Sequence, residues 1–248
     1  MSTDNVIVPA VRRRKPNYMA PSLIATEIAQ ILSDQIVYLQ IAPGARIHEE
    51  EVGENFGVSR SPVRDVFRML EADGLVIRAA RKGVRVTPMS RRDLDEVYAC
   101  RSGLEGVAAA QAARHLDKKA QKTIEANLAA MKKAFKANDV PTFFKYNVAF
   151  TRSIHMASQN QTLIRVVAGI EKQALRYRYL AHLQSKEMLS MSLEGHGEVA
   201  EAVIARDATL ARRRAEQLMR RAHGVLARAL EQSAYAIAGD TDSLTFES

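Results

Sequence analysis

Between residues 21 and 39 the apolar side chains return at Ala25, Ile28, Leu32, Ile36 and Leu39. Steps of three and four place them on one stripe of a helix. Pro21 opens that helix at the position where a missing N–H costs nothing. "APGARI" (42–47) reads as a turn, and "EEEVGENFG" (49–57) as a short helix stopped by Gly57. Ser61-Pro62 then starts a third helix, with serine as N-cap and proline in the first turn. Val63, Val66, Phe67 and Leu70 form its inward face, and "ADG" (72–74) ends it. "LVIRA" (75–79) and "GVRVT" (83–87) are short β-branched runs joined by "ARK" (80–82), which predicts a hairpin with a basic tip.

Beyond "VTPMSRRDLDE" (86–96) the period changes to that of helices alone: about 93–115, 118–137, 141–157, 160–184, 186–205 and 208–236. The breakers "HLD", "NDVP", "SQN" and "ARD" separate them, and Ser90 with Asp93 resembles a capping box. The expected fold is therefore mostly α. A winged helix-turn-helix domain with a small β-hairpin wing (21–89) precedes an all-α antiparallel bundle (90–238). A flexible basic arm (1–20), with Arg12, Arg13, Arg14 and Lys15 in a row, and a loose tail (239–248) complete the chain.

Charge sharpens this picture. The net charge is +8, and residues 57–92 hold nine Lys/Arg against three acids, so most of the excess lies on the third helix and the hairpin. That distribution points to an acidic partner such as nucleic acid. Arginine is among the worst residues to bury, yet Arg60 and Arg64 stand at the first turn of a helix whose far half is apolar. A helix-turn-helix resolves the conflict by presenting that turn to the major groove, where arginine meets guanine or phosphate. Cys100 is the only cysteine, which excludes an internal disulfide and suits a reducing cytoplasm. No signal peptide and no run of about 18 apolar residues occurs, so no membrane association is expected. HExxH, GxSxG, CxxC and glycine-rich phosphate loops are all missing, so nothing argues for an enzyme. "ARRRAEQLMRR" (211–221) reads as a solvated or dimer-edge helix face.

"VSRSPVRDVFRMLEADGLV" followed by "RKGVRV" resembles the GntR family of bacterial transcription regulators. "RSGLEGVAAAQAA" (101–113), "FTRSIHMASQNQTL" (150–163) and "GHGEVAEAVIARDATLA" (195–211) are similar to the helical effector domain of its FadR subgroup. The resemblance implies a homodimer on an inverted-repeat operator of double-stranded DNA, with Ser59, Arg60, Ser61, Pro62 and Arg64 at the DNA and Arg81, Lys82 and Gly83 at the tip of the wing. Glu50 departs from relatives that carry a basic residue there, which shifts specificity onto Arg60 and Arg64.

The same resemblance implies a small-molecule effector, an organic acid, that releases a repressor from its operator. Arg101, Asn147, Thr151, Arg165 and His196 are the candidate contacts. Arg101 matches a family arginine that meets a ligand carboxylate, although Glu105, four residues on, is an internal partner of the right spacing. The subgroup often holds a divalent metal on an Asp and three His, but here those positions read Asn147, Thr151, His196 and Leu218. A metal is thus less expected than in relatives. A substitute set of Asn147, His155, His196 and His223 is the way one could still be held, and an activator or dual regulator with a metal-assisted effector site is the alternative function.

Overall fold

The computed structural model describes residues 21–79 and 83–235. The basic arm, the wing-tip residues Arg81 and Lys82, and the loose tail expected from the sequence lie outside these residues. Helix α1 (Pro21–Val37) is followed by strand β1 (Arg46–Ile47), helices α2 (Glu49–Phe56) and α3 (Arg60–Ala72), and strands β2 (Val76–Ala79) and β3 (Gly83–Val86). The strands form an antiparallel sheet in the order β1-β3-β2, with Val76 opposite Val86 and Arg46 opposite Arg85.

Periodicity explains this arrangement. Ala25, Ile28, Leu32 and Ile36 of α1 meet Val63, Val66, Phe67 and Leu70 of α3 in one apolar cluster, which Val52, Val76, Val84 and Val86 close from the other sides. Two expectations need correction. "APGARI" is not only a turn: Arg46 and Ile47 pair with β3, because the buried Ile47 needs a covered backbone. The N-cap of α3 is Ser59, not Ser61; Ser61 and Pro62 lie inside the first turn, where the N–H that proline lacks has no helical acceptor anyway.

From residue 91 the chain is helical: α4 (Arg91–His115), α5 (Lys118–Lys136), α6 (Val140–Ala157), α7 (Gln161–Gln184), α8 (Lys186–Ile204) and α9 (Ala208–Glu231). The last helix thus stops at Glu231, five residues before the expected end. The breakers act through capping. The side chains of Asp117, Asp139, Asn160, Ser185 and Asp207 each accept the N–H three residues on, worth about 1 kcal/mol apiece. Helix α4 lies along α9 through an alanine- and glycine-rich face. A Cβ on Gly106 would meet Glu216 Cγ at 2.8 Å.

Helix α7 joins the two apolar cores. Lys172 Nζ lies 2.7 Å from Asp73, Gln173 donates to the Asp73 carbonyl, and Arg176 Nη1 donates to the Thr87 carbonyl at 2.5 Å. Tyr177 completes the Ser90 cap of α4. Ser90 Oγ accepts from the Asp93 N–H, while the Ser90 N–H, free of the usual acidic partner, donates to the Tyr177 hydroxyl at 3.1 Å. That hydroxyl in turn donates to Asp93 Oδ2 at 2.6 Å. A small cluster of Val37, Phe144 and Leu175 fills the junction.

Candidate functional site

Two regions gather chemistry. The first is the exposed turn at the start of α3. Ser59, Arg60, Ser61 and Arg64 are exposed and Pro62 is half-buried, while Val63, Val66 and Phe67 of the same helix are buried. The cationic turn is thus held outward by its own apolar far side. Arg60 Nη2 lies 3.6 Å from Glu50, with both side chains more than 80% exposed. Arg68 pairs with Asp65, and Arg78 lies between Glu49 and Glu71. Gly83 begins β3 at φ +77°, a left-handed conformation that glycine adopts without strain. Arg46, exposed on β1, packs against Gly83; a Cβ there would lie 3.6 Å from its guanidinium. Sequence reasoning missed Arg46, because its segment reads as a turn and only the pairing with β3 carries it to the wing.

The second region is a buried polar cluster in the helical bundle. A cavity of about 20 Å³ is lined by Glu105, Phe150, Thr151, His196, Leu218 and their neighbours. Arg101 is buried and donates from Nη2 to Glu105 Oε1 at 2.7 Å and from Nη1 to the Tyr98 hydroxyl. The other Glu105 oxygen accepts from His155 Nε2 at 2.8 Å. Burial alone would raise the Glu105 carboxyl, but His155 and Arg101 outweigh it and hold it far below the usual carboxylate range. The internal partner of Arg101 is therefore the one present.

His196 and His182 share a pattern. Each Nδ1 faces the carbonyl one turn earlier in its own helix: Ser192 at 2.6 Å and Arg178 at 2.5 Å. A carbonyl only accepts, so Nδ1 carries the proton and Nε2 presents a lone pair. These lone pairs face the hydroxyls of Thr151 and Ser192, both at 3.4 Å. Burial pushes His196 down to about 4 and His182 down to about 3, so both are neutral at pH 7.

Sequence reasoning missed Arg178. It is buried, donates to Asn147 Oδ1, and is held down to about 10 by burial and by the nearby Arg101. Arg176 instead lies at the junction, fully buried, with Nε and Nη2 unpartnered. No sequence signal separates the two, since both sit on α7 two residues apart.

Arg165 does not join the cluster: it is exposed near the start of α7 and donates to Thr162. Nor do the residues fit a divalent metal. Asn147 Oδ1 is occupied by Arg178, Thr151 offers a hydroxyl, and Leu218 offers methyls that crowd Gly195, where a Cβ would lie 2.5 Å away. His155 and His223 spend Nε2 on Glu105 and Asp95, so the substitute set is not assembled. Among the described residues no three His, Cys, Asp or Glu side chains converge. A wider groove of about 770 Å³ opens at the junction. Its Arg152 and Lys172 pair with Glu171 and Asp73, and its Lys119 and Lys145 are matched in number by Asp34 and Asp117, which leaves it no clear preference for an anion.

Among the described residues no helix is long and apolar enough to cross a membrane. Residues 24–86 match the model of bacterial regulatory proteins, gntR family, and residues 96–221 match the FCD domain. The chain is 31% identical over 190 residues to a probable D-xylose utilization operon transcriptional repressor of Paenarthrobacter nicotinovorans, covering 76% of this chain and 82% of that protein. It is 28% identical over 183 residues to the HTH-type transcriptional repressor RspR of Escherichia coli (strain K12), covering 73% and 79%. The solved structure of E. coli McbR/YncC shares the fold with a TM-score of 0.72 at 20% identity, over 83% of this chain and 97% of that one. An outward cationic helix turn beside a β wing, joined to a helical domain with a buried polar centre, agrees with both matches: the chain belongs to the gntR family of bacterial regulatory proteins, as a transcription regulator with an FCD effector domain.

Proposed function

We propose that this regulator is a homodimeric repressor that leaves an inverted-repeat operator when a small organic acid binds its helical domain. The observation that carries the reading is the first turn of α3: Ser59, Arg60, Ser61 and Arg64 are exposed while the same helix is anchored by Val63, Val66, Phe67 and Leu70. In a dimer two such turns reach successive major grooves about 34 Å apart. Arg60 and Arg64 read base edges or phosphate there, and the wing, with Arg81, Lys82 and Gly83, reaches the neighbouring minor groove.

Release follows from linkage. An effector shifts the equilibrium only by its difference in affinity for the operator-bound and released forms. Helix α7 offers the route, since Arg178 belongs to the buried cluster while Lys172, Gln173 and Arg176 hold Asp73 and Thr87 of the DNA-binding part. The repressors among the relatives favour repression over activation.

The test is a gel-shift titration of the purified dimer on DNA upstream of its own gene. Wild type selects one fragment over unrelated DNA. Arg60→Ala loses that selection while keeping its dimer mass and helical circular dichroism. A variant that still selects the fragment as wild type does refutes the assignment of the recognition turn.

A further inference from the structure

The buried cluster is charge-unbalanced, and the imbalance has an address. Among the described residues Glu105 is the one acidic side chain in the buried set, and its two oxygens are committed to Arg101 and His155. Glu171, nearby and half-buried, is bound by Arg152 through three hydrogen bonds. Arg178 is left with a neutral partner, the amide oxygen of Asn147. Asn147 is itself fully buried, and its Nδ2 has no hydrogen-bond partner. A buried guanidinium whose hydrogen-bond partner is a neutral amide oxygen and a buried amide N–H with no acceptor therefore share one place, a costly arrangement unless an anion answers them.

We propose that Arg178 and the Asn147 amide together are the anion receptor of this domain, taking the effector's carboxylate directly and without a metal. The proposal rests on the reading that the domain binds an organic acid, and it assigns the group that does so. Asparagine at 147 is what makes the receptor available. An aspartate there would form a buried ion pair with Arg178, cancel its charge and close the site. The guanidinium fork matches a carboxylate with two parallel N–H donors, and Asn147 Nδ2 adds a third. The neutral His196 and His182 add no charge of their own, and their Nε2 lone pairs suit a ligand hydroxyl.

The cavity of about 20 Å³ beside Thr151 and His196 holds no more than a water, and neither Arg178 nor Asn147 lines it. A carboxylate larger than formate must therefore part the helices to reach Arg178. The helix that carries Arg178 is also the one bonded to the DNA-binding part, so entry of the anion and movement of the junction are one event.

The experiment is thermal unfolding of the full dimer, first treated with EDTA and shown metal-free by elemental analysis. It is titrated with acetate, lactate and succinate, each against chloride at matched ionic strength. Wild type gains melting temperature with at least one carboxylate beyond the chloride effect, and added zinc produces no such gain. Asn147→Asp melts higher than wild type without ligand yet loses the carboxylate-specific gain. Arg178→Lys keeps the gain but needs at least tenfold more carboxylate, and Arg178→Met loses it. No carboxylate-specific gain in wild type, a full gain in Asn147→Asp, or a gain that appears only with zinc each overturns the proposal. Should Arg178→Met fail to fold, Asn147→Asp and Arg178→Lys still decide. Gel shifts of wild type and Arg60→Ala without ligand test the recognition turn by themselves, so failure here is distinguishable from failure of the DNA-binding assignment.

Discussion

Replacing Glu50 by glutamine tightens DNA binding if the first turn of α3 is the reading head. Glu50 ends 3.6 Å from Arg60 Nη2, and the two side chains are 81% and 84% exposed. At that distance Coulomb's law in water gives about 1 kcal/mol, and exposed pairs measure about 0–1 kcal/mol. The pair thus adds little to the fold but holds Arg60 away from a ligand by up to that amount. In a complex the Glu50 carboxylate also faces the phosphates and repels them. Losing both effects predicts a gain of about 1 kcal/mol, roughly fivefold in affinity. The gain carries a signature. Removing one negative charge from the interface steepens the salt dependence by up to about 0.9 in the slope of log K against log salt. Glu50→Gln and wild type should therefore differ most at about 50 mM salt and converge at about 200 mM, measured by fluorescence anisotropy on an operator duplex. A double-mutant cycle with Arg60→Ala shows whether Glu50 acts through Arg60: in that background the gain shrinks. Unchanged or weaker binding by Glu50→Gln at about 50 mM salt, where the difference should be greatest, would show that this turn does not meet the duplex.

Other consequences concern the junction and the buried histidines. Because folded His196 and His182 titrate near 4 and 3 and unfolded histidine near 6.5, the unfolded chain takes up protons first as pH falls. Stability should therefore drop from about pH 6.5 toward pH 4, by about 2 kcal/mol per histidine at pH 5; urea melts of His182→Gln should show a flatter profile, and an equally steep one would refute the assignment. Gly74 sits at φ +67°, and a Cβ there would meet Gln173 Nε2 at 2.1 Å. Gly74→Ala should cost about 1–2 kcal/mol for the left-handed backbone alone, with Gln173→Ala restoring only the steric part in thermal melts. Arg176→Met removes a buried cation with two unpartnered donors and should leave the melting temperature equal or higher. A loss of several degrees would mean that the bond to Thr87 outweighs the burial cost.

Much of this was legible in the chain because the signals are local. The stripe of Val63, Val66, Phe67 and Leu70 and the outward Arg60 follow from helical period and charge alone. So do the starts of α5, α6, α7 and α9, since each begins after an Asp or Asn that caps it with its own side chain. Where a partner far along the chain decides, local signals failed. Arg46 and Ile47 read as a turn until β3, almost forty residues later, supplies their hydrogen bonds. The Ser90 cap looked like a box closed by Asp93, yet its second half is completed by Tyr177.

The amino-acid order by itself determined the succession of elements, the face each helix buries and the basic turn, because period, caps and charge act within a few residues. Only the tertiary structure decided that Arg101 is spent on Glu105 while Arg178 is not, and that Arg165 lies outside while Arg176 is sealed at the junction. Arginines of equal intrinsic chemistry differ in what they can bind once folding has fixed which acid stands beside each of them, and that choice depends on the packing of α4, α6 and α7, which no short stretch of sequence contains.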